Sequence, residues 1–253
     1  MEHIQQLTEL IKNAQRITFF TGAGVSTDSG IPDWRSSDGV YTNNKNKKLE
    51  DLISFSYFKS NSKDFWKHYK EIYNIKLLNQ YKPNSGHHFI TKLQEQGKNI
   101  TVITQNNDGL HTAAGTEKVY EVHGTLTNAS CLKCKTTYDL DHINNNDIPT
   151  CTKIDVNDQI CDSVLRPDIV LFDDPIKYYN ESLNNAYASD LFIVMGTSLQ
   201  VGPINSIPQY IARTDIPMVI INKDATMFDD LFDICIKESI GKTLNEVEKG
   251  LRL

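Results

Sequence analysis

A β-branched run that breaks off into amides and an acid is the feature that most limits this chain. Ile100-Thr101-Val102-Ile103-Thr104 reads as a buried strand, and Gln105-Asn106-Asn107-Asp108-Gly109, which follows directly, cannot continue it. Polar side chains therefore gather at the carboxyl end of a strand, which in an open α/β sheet is where ligands bind. Asn-Asp-Gly is also ordinary turn chemistry, and standing alone the segment admits that reading. A second run, Lys118-Val119-Tyr120-Glu121-Val122, ends at His123-Gly124 and brings an imidazole to the same edge one element later. Histidine is the side chain best suited to move a proton near neutral pH.

The amino-terminal part offers such a base something to act on. Ile4, Leu7, Leu10 and Ile11 fall at helical spacing, and Arg16-Ile17-Thr18-Phe19-Phe20 reads as a strand. Thr21-Gly22-Ala23-Gly24-Val25-Ser26-Thr27 follows. A strand, a Gly-x-Gly turn and a helix start form the phosphate-binding logic of dinucleotide folds, in which glycines let backbone N–H groups approach a pyrophosphate. The match is partial, because Thr27 stands where the third glycine belongs. No acidic residue ends the next strand to hold a ribose, so hydride transfer loses ground. Ile31-Pro32-Asp33-Trp34-Arg35-Ser36 reads either as a cover over a dinucleotide pocket, with Arg35 offered to phosphate, or as a plain surface loop.

Further strands repeat the pattern. Asp168–Phe172 reads as a strand, 176–189 as a helix, and Leu191–Met195 as a doubly buried strand ending in Gly196-Thr197-Ser198. Pro217–Ile221 delivers Asn222, Cys235-Ile236 reads as a last edge strand, and 242–251 as a closing helix. Between these, 51–78 reads as helical with an aromatic buried face that includes Phe58, Phe65, Trp66 and Tyr69, and a helix opens at Pro83-Asn84-Ser85-Gly86. His87 and His88 at that helix start receive no catalytic role. The expected architecture is α/β, a parallel sheet with polar groups recurring at one edge and a second, smaller lobe.

Composition narrows the class. A length of 253 residues allows one large domain with a small insert, and 39% hydrophobic with 23% charged residues suits a globular protein. No apolar run approaches the length of a membrane span. The start of the chain lacks a secretory signal pattern, so a cytoplasmic location is the expectation. A net charge of -6 argues against a protein built to hold nucleic acid and for a basic partner. The five cysteines point to metal rather than disulfides. Cys131 and Cys134 form a knuckle, and Cys151 and Cys161 complete four thiolates suited to a closed, structural zinc site. The nine residues between the second pair exceed the usual spacing, and His142 or Asp162 is the alternative ligand.

Gly22-Ala23-Gly24-Val25-Ser26, Gly30-Ile31-Pro32-Asp33-Trp34-Arg35-Ser36, Thr104 to His111, His123-Gly124, the cysteine set, Gly196-Thr197-Ser198 and Ile221-Asn222 together resemble the ordered signature of the sirtuins over nearly the whole chain. The resemblance implies a Rossmann-like NAD-binding large domain over 1–40, 80–125 and 165–253, a helical part of a small domain over 41–79, and a zinc-binding module over 126–164. It implies NAD-dependent removal of acyl groups from protein lysine, acetyl above all, with the acyl group passed to ADP-ribose and nicotinamide released. ADP-ribosyl transfer or NAD hydrolysis in the same pocket is the rival, and a non-catalytic binding module is the reading from another class.

By position, Gly22, Ala23, Gly24, Thr27, Asp33, Trp34, Arg35, Gln105, Asn107, Asp108, His123, Gly196, Thr197, Ser198, Asn222 and Ile240 would line the NAD pocket. Asn106, Asp108 and His123 would be catalytic, with His123 the base that activates a ribose hydroxyl. Val170, Phe172, Val201 and Gly202 would clamp the acylated peptide by strand addition. Expected partners are an acylated protein or peptide, with no nucleic acid and no membrane, and the chain is expected to be a monomer. Trp34 replaces the family's usual Phe and Asn107 its usual Ile or Val. Asp173-Asp174 replaces Gly-Glu, adding negative charge beside the peptide. Trp66 and Tyr69 replace the Tyr and Arg of relatives that prefer succinyl groups, which disfavours an acidic acyl chain.

Overall fold

The computed structural model describes residues 2–32, 49–73 and 80–252. Strands β1 (Arg16–Thr21), β2 (Asn99–Thr104), β3 (Val119–Glu121), β4 (Gly124–Ser130), β5 (Thr137–Tyr138), β6 (Arg166–Ile169), β7 (Leu191–Met195), β8 (Met218–Ile221) and β9 (Ile234–Ile236) form two sheets. The larger is parallel throughout, in the order β3-β2-β1-β7-β8-β9. Its strands are apolar on both faces because both are covered: every residue of β7 and β8 is buried. On one side the helix Glu2–Asn13 inserts Leu7 and Ile11 into a core with Phe19, Val102 and Ile193, and packs against the closing helix Ile240–Leu251. On the other, Phe20, Ile103, Phe192 and Val194 meet Ile204, Ile207 and Ile211.

The strand order reverses between β1 and β7. Connections that lead one way from β1 and the other way from β7 leave a crevice outside their carboxyl ends, and such switch points are where α/β sheets bind ligands.

The smaller lobe has its own sheet, ordered β5-β4-β6 and antiparallel. The strand expected over Asp168–Phe172 is corrected here: β6 is Arg166–Ile169 and pairs with β4, because the polar and Pro-bearing sequence Arg166-Pro167-Asp168 suits a half-buried antiparallel strand better than the core of a parallel sheet. The single helix expected over 51–78 is three helices, Leu49–Leu52, Phe55–Ser60 and Ser62–Ile72, with 74–79 outside the described residues. Ser54 and Asn61 break it, each accepting a backbone N–H as an N-cap. The aromatic stripe is core: Phe58, Phe65, Trp66 and Tyr69 pack on Leu126, Ile143 and Leu165, and Trp66 Nε1 donates to the Leu165 carbonyl at 2.8 Å. The helix expected over 176–189 spans Tyr179–Tyr187.

Candidate active site

Two loops meet at the switch point. Gly22 N donates to the Met195 carbonyl at 3.1 Å and Gly24 N to the Gly196 carbonyl at 2.8 Å. A methyl on Gly24 would lie 2.7 Å from Gly196 Cα, and one on Gly22 2.6 Å from Thr197 Cβ, so no larger residue fits this approach. The expectation from the Gly-x-Gly turn is therefore corrected. These glycine amides are committed to the neighbouring loop rather than free for a pyrophosphate, and two short 3₁₀ turns, Ala23–Val25 and Thr27–Ser29, follow instead of an α-helix. The glycines close the crevice floor.

Above that floor lies a cleft of about 1570 Å³. Single small-molecule sites run from roughly 300 to 1,000 Å³, so this one has room for a dinucleotide and a segment of a second substrate. Gly22, Ala23, Gly24, Thr27, Gln105, Asn106, Asn107, His123, Gly196, Thr197, Ser198, Asn222 and Ile240 all line it, as do Val170, Phe172, Val201 and Gly202. Asp33, Trp34 and Arg35 lie outside the described residues. Asp108 is not a lining residue. Its carboxylate turns away to accept from Ser26 Oγ at 2.7 Å and from Leu110 N at 2.9 Å.

The β2 terminus is held rigidly. Gln105 Nε2 donates to Thr197 Oγ1 at 3.0 Å, tying the β2 and β7 loops together. Asn106 is buried, and its Nδ2 donates to the Gly22 carbonyl and to Ser26 Oγ, both at 3.1 Å. Both amide protons are thus spent, and Oδ1 is the atom left to accept from a ligand. His123 Nδ1 lies 2.9 Å from the Gln105 carbonyl. A carbonyl only accepts, so Nδ1 carries the proton and Nε2 keeps its lone pair. Burial holds the His123 pKa below its ordinary value, partly offset by that hydrogen bond, so the ring is neutral at pH 7.

Sequence reading missed several contributors. Burial raises the Asp108 pKa, while Leu110 N and Ser26 pull it back. Glu121 is pushed up to about 7 by burial and by the Asp108 charge, against the pull of Lys177. An acid at the end of a β-branched run was the available signal for Glu121. Ser26 offered none, since its partners become neighbours only in the fold. Tyr73, Ile53 and Glu50 reach the cleft from the helical segment, whereas Trp66 and Tyr69 are fully buried and do not. Lys223 is the one cationic side chain among the described lining residues.

Strand addition at Phe172 is corrected as well. Its N–H donates to the Ile53 carbonyl at 3.3 Å and its carbonyl accepts from Phe55 N at 2.9 Å, so both groups are already paired. What Phe172 presents is an exposed ring.

The four cysteines converge. Their sulfurs all lie within 4.8 Å of one another, with Cys131 and Cys161 3.7 Å apart and Cys134 and Cys151 3.4 Å apart. Zinc–sulfur bonds of about 2.3 Å at tetrahedral angles separate sulfurs by roughly 3.8 Å, so the set fits a structural zinc ion. The long spacing has a plain cause: the chain between Cys151 and Cys161 is a hairpin in which Ile154 faces Ile160 and Cys161 N donates to the Lys153 carbonyl, bringing the pair back together. His142 is used elsewhere, its Nε2 lying 2.9 Å from the Thr150 carbonyl.

These features agree with what known proteins share with this chain. The Sir2 family profile matches residues 22–203. The whole chain is 43% identical to an NAD-dependent protein deacetylase 2 from Geobacillus kaustophilus (strain HTA426), covering 99% of that protein. It is 41% identical to an NAD-dependent protein deacetylase from Chromobacterium violaceum, over 96% of each. A Sir2 structure with a deacetylated p53 peptide and 3'-O-acetyl ADP-ribose matches with a TM-score of 0.84 at 31% identity, over 97% of each chain. A chain with this sheet order, this cleft and this cysteine set, and with relatives this similar along its full length, belongs to the Sir2 family, the sirtuins.

Proposed function

We propose that this protein is an NAD-dependent protein lysine deacetylase. The observation that carries the reading is the pairing, in one cleft at the switch point, of a neutral His123 with an unspent Nε2 and a buried Asn106 with an unspent Oδ1. When bound there, NAD would supply a ribose carbon that bonds the acyl oxygen as nicotinamide leaves, and a neighbouring ribose hydroxyl to which the acyl group passes as the lysine amine is released. Gln105, Asn107, Thr197, Ser198 and Asn222 are the polar side chains that would hold it, with Ala23, Thr27 and Ile240 packing beside them. Asn106 Oδ1 would fix a hydroxyl or an ordered water, Asp108 would hold Asn106 in place through Ser26, and His123 Nε2 would take a proton from a ribose hydroxyl.

The acylated peptide would lie over the Phe172 ring and along Val201-Gly202. Those residues, with Ile53 and Tyr73, make an apolar mouth, and the scarcity of cations suits an uncharged acyl chain such as acetyl. The same reading takes the chain as a monomer of the cytoplasm. No described helix is long and apolar enough to cross a membrane.

Nicotinamide release with NAD, with and without an acetyl-lysine peptide, tests the reading. Peptide-dependent release with loss of the acetyl group is the expected result, and His123→Ala should cut it by about 10² to 10⁴. The wild-type pH profile should fall on the acid side, below about pH 6.5, as His123 gains a proton. Release without peptide, or ADP-ribose left on protein, would favour the rival enzyme. No release with any acyl peptide would leave a binding module.

A further inference from the structure

The two adjacent aspartates beside the cleft have different partners, and the difference assigns them different work. Asp174 forms an ion pair with Arg166, both side chains being largely buried, and also accepts from Leu171 N at 2.9 Å. Arg166 reaches the Ile169 carbonyl as well and lies over the Phe55 ring, 5.1 Å from its centre. The Asp174 charge is thus cancelled inside the protein, where it closes the turn that carries Phe172.

Asp173 has no such partner. It is exposed, lines the cleft, and takes a single hydrogen bond, from the neutral Ser56 Oγ at 2.9 Å. That bond fixes the direction of the carboxylate and leaves its charge intact. Glu50 lines the same cleft one helical turn before Ile53, whose carbonyl holds Phe172 N. Among the described lining residues, Lys223 is the sole cation, and it follows Asn222 just after the end of β8. The described lining of the cleft therefore holds more carboxylates than cations, and the ammonium of Lys59, 4.6 Å from the centre of the Phe55 ring, does not line it.

We propose that Asp173, supported by Glu50, selects acetyl-lysine peptides with Arg or Lys next to the target residue, while Asp174 only shapes the loop. This rests on the deacetylase reading above. A guanidinium or ammonium on the peptide would meet the free oxygen of Asp173 at a half-wet rim, where such pairs are modest, so the expected preference is about fivefold.

The test uses three acetyl-lysine peptides identical except for Arg, Ala or Glu on both sides of the target, turned over by wild type, Asp173→Asn and Asp174→Asn. The readout is the ratio of kcat/KM between peptides within each protein, which cancels any loss of folded enzyme. Wild type should favour Arg over Ala about fivefold and over Glu by more. Asp173→Asn should bring the ratios close to one, and Asp174→Asn should raise KM for all three peptides while keeping the ratios. Equal turnover of the three by wild type, or a preference that survives Asp173→Asn, would overturn the assignment alone. Loss of acetyl from none of the peptides would instead bring down the deacetylase reading on which it stands.

Discussion

Ser26 Oγ donates to the Asp108 carboxylate at 2.7 Å and accepts from Asn106 Nδ2 at 3.1 Å, so one small hydroxyl joins the two side chains that flank the β2 terminus. Asp108 does its work from behind. Its carboxylate anchors Leu110 N at the start of the helix Leu110–Ala113 and holds Ser26, which in turn fixes the Asn106 amide.

Ser26→Ala should therefore lower stability and turnover together. Removing a hydrogen bond to a buried charged group costs about 1–3 kcal/mol. Asp108→Asn should part the two effects. The folded pKa of Asp108 is raised, so the stability it offers is present at low pH and is lost as pH rises through that value. An amide cannot ionise, so the melting temperature of Asp108→Asn should gain on wild type from pH 4 to pH 8 while turnover falls. Parallel melting curves across that range would show that Asp108 is not penalised by burial.

The cysteines divide four to one. Cys131 is fully buried within the sulfur cluster, whereas Cys235 sits on β9 with its Sγ directed to the Asp229 carbonyl at 3.4 Å. Cys131→Ser should lower bound zinc and thermal stability together, and a strong chelator should do the same to wild type, because a closed thiolate site contributes its binding energy to folding. Cys235→Ser should leave metal content unchanged. Full stability of metal-free wild type would refute a structural role for the ion.

How much of this was legible beforehand depends on whether a feature is local. Runs such as Leu191–Met195 and Ile100–Thr104 announce themselves because a doubly buried strand needs apolar residues at every position. The polar residues that end them were legible for the same reason, and Gln105, Asn106, Asn107, Thr197 and Ser198 line the cleft, whereas Glu50, Tyr73, Tyr179 and Ser239 reach it from elements that carried no such signal. What was hidden depends on partners far apart in sequence. Gly24 reads as a phosphate loop until Gly196 is seen pressed against it, and Phe172 reads as a free strand edge until Ile53 and Phe55 claim its backbone. The Cys151–Cys161 spacing looked wrong for one ion until the hairpin supplied the return.

Behind the glycine turn, two histidines are buried against each other, their ring centres 4.7 Å apart. His87 Nδ1 accepts from Asn84 N at 3.2 Å in a capping box, and Asn84 Nδ2 reaches the Val25 carbonyl and Ser29 Oγ. His111 Nε2 pairs with Thr21 Oγ1 at 3.0 Å, one residue before Gly22. The remaining ring nitrogens, His87 Nε2 and His111 Nδ1, are buried without a hydrogen-bond partner. Burial lowers the pKa of His87 to about 4 and holds that of His111 well below the ordinary value of 6.5. With folded values below unfolded ones, the stability these rings offer is present above about pH 6.5 and is lost as pH falls, until the folded pKa is reached. Each histidine should contribute a slope of about 1.4 kcal/mol per pH unit in that window. His87→Gln keeps an acceptor for Asn84 N and removes one titrating group. Urea unfolding of both proteins between pH 7 and pH 4.5 should show the variant losing stability less steeply, by close to one proton, and identical slopes would mean that His87 is solvated well enough to titrate as it does in the unfolded chain.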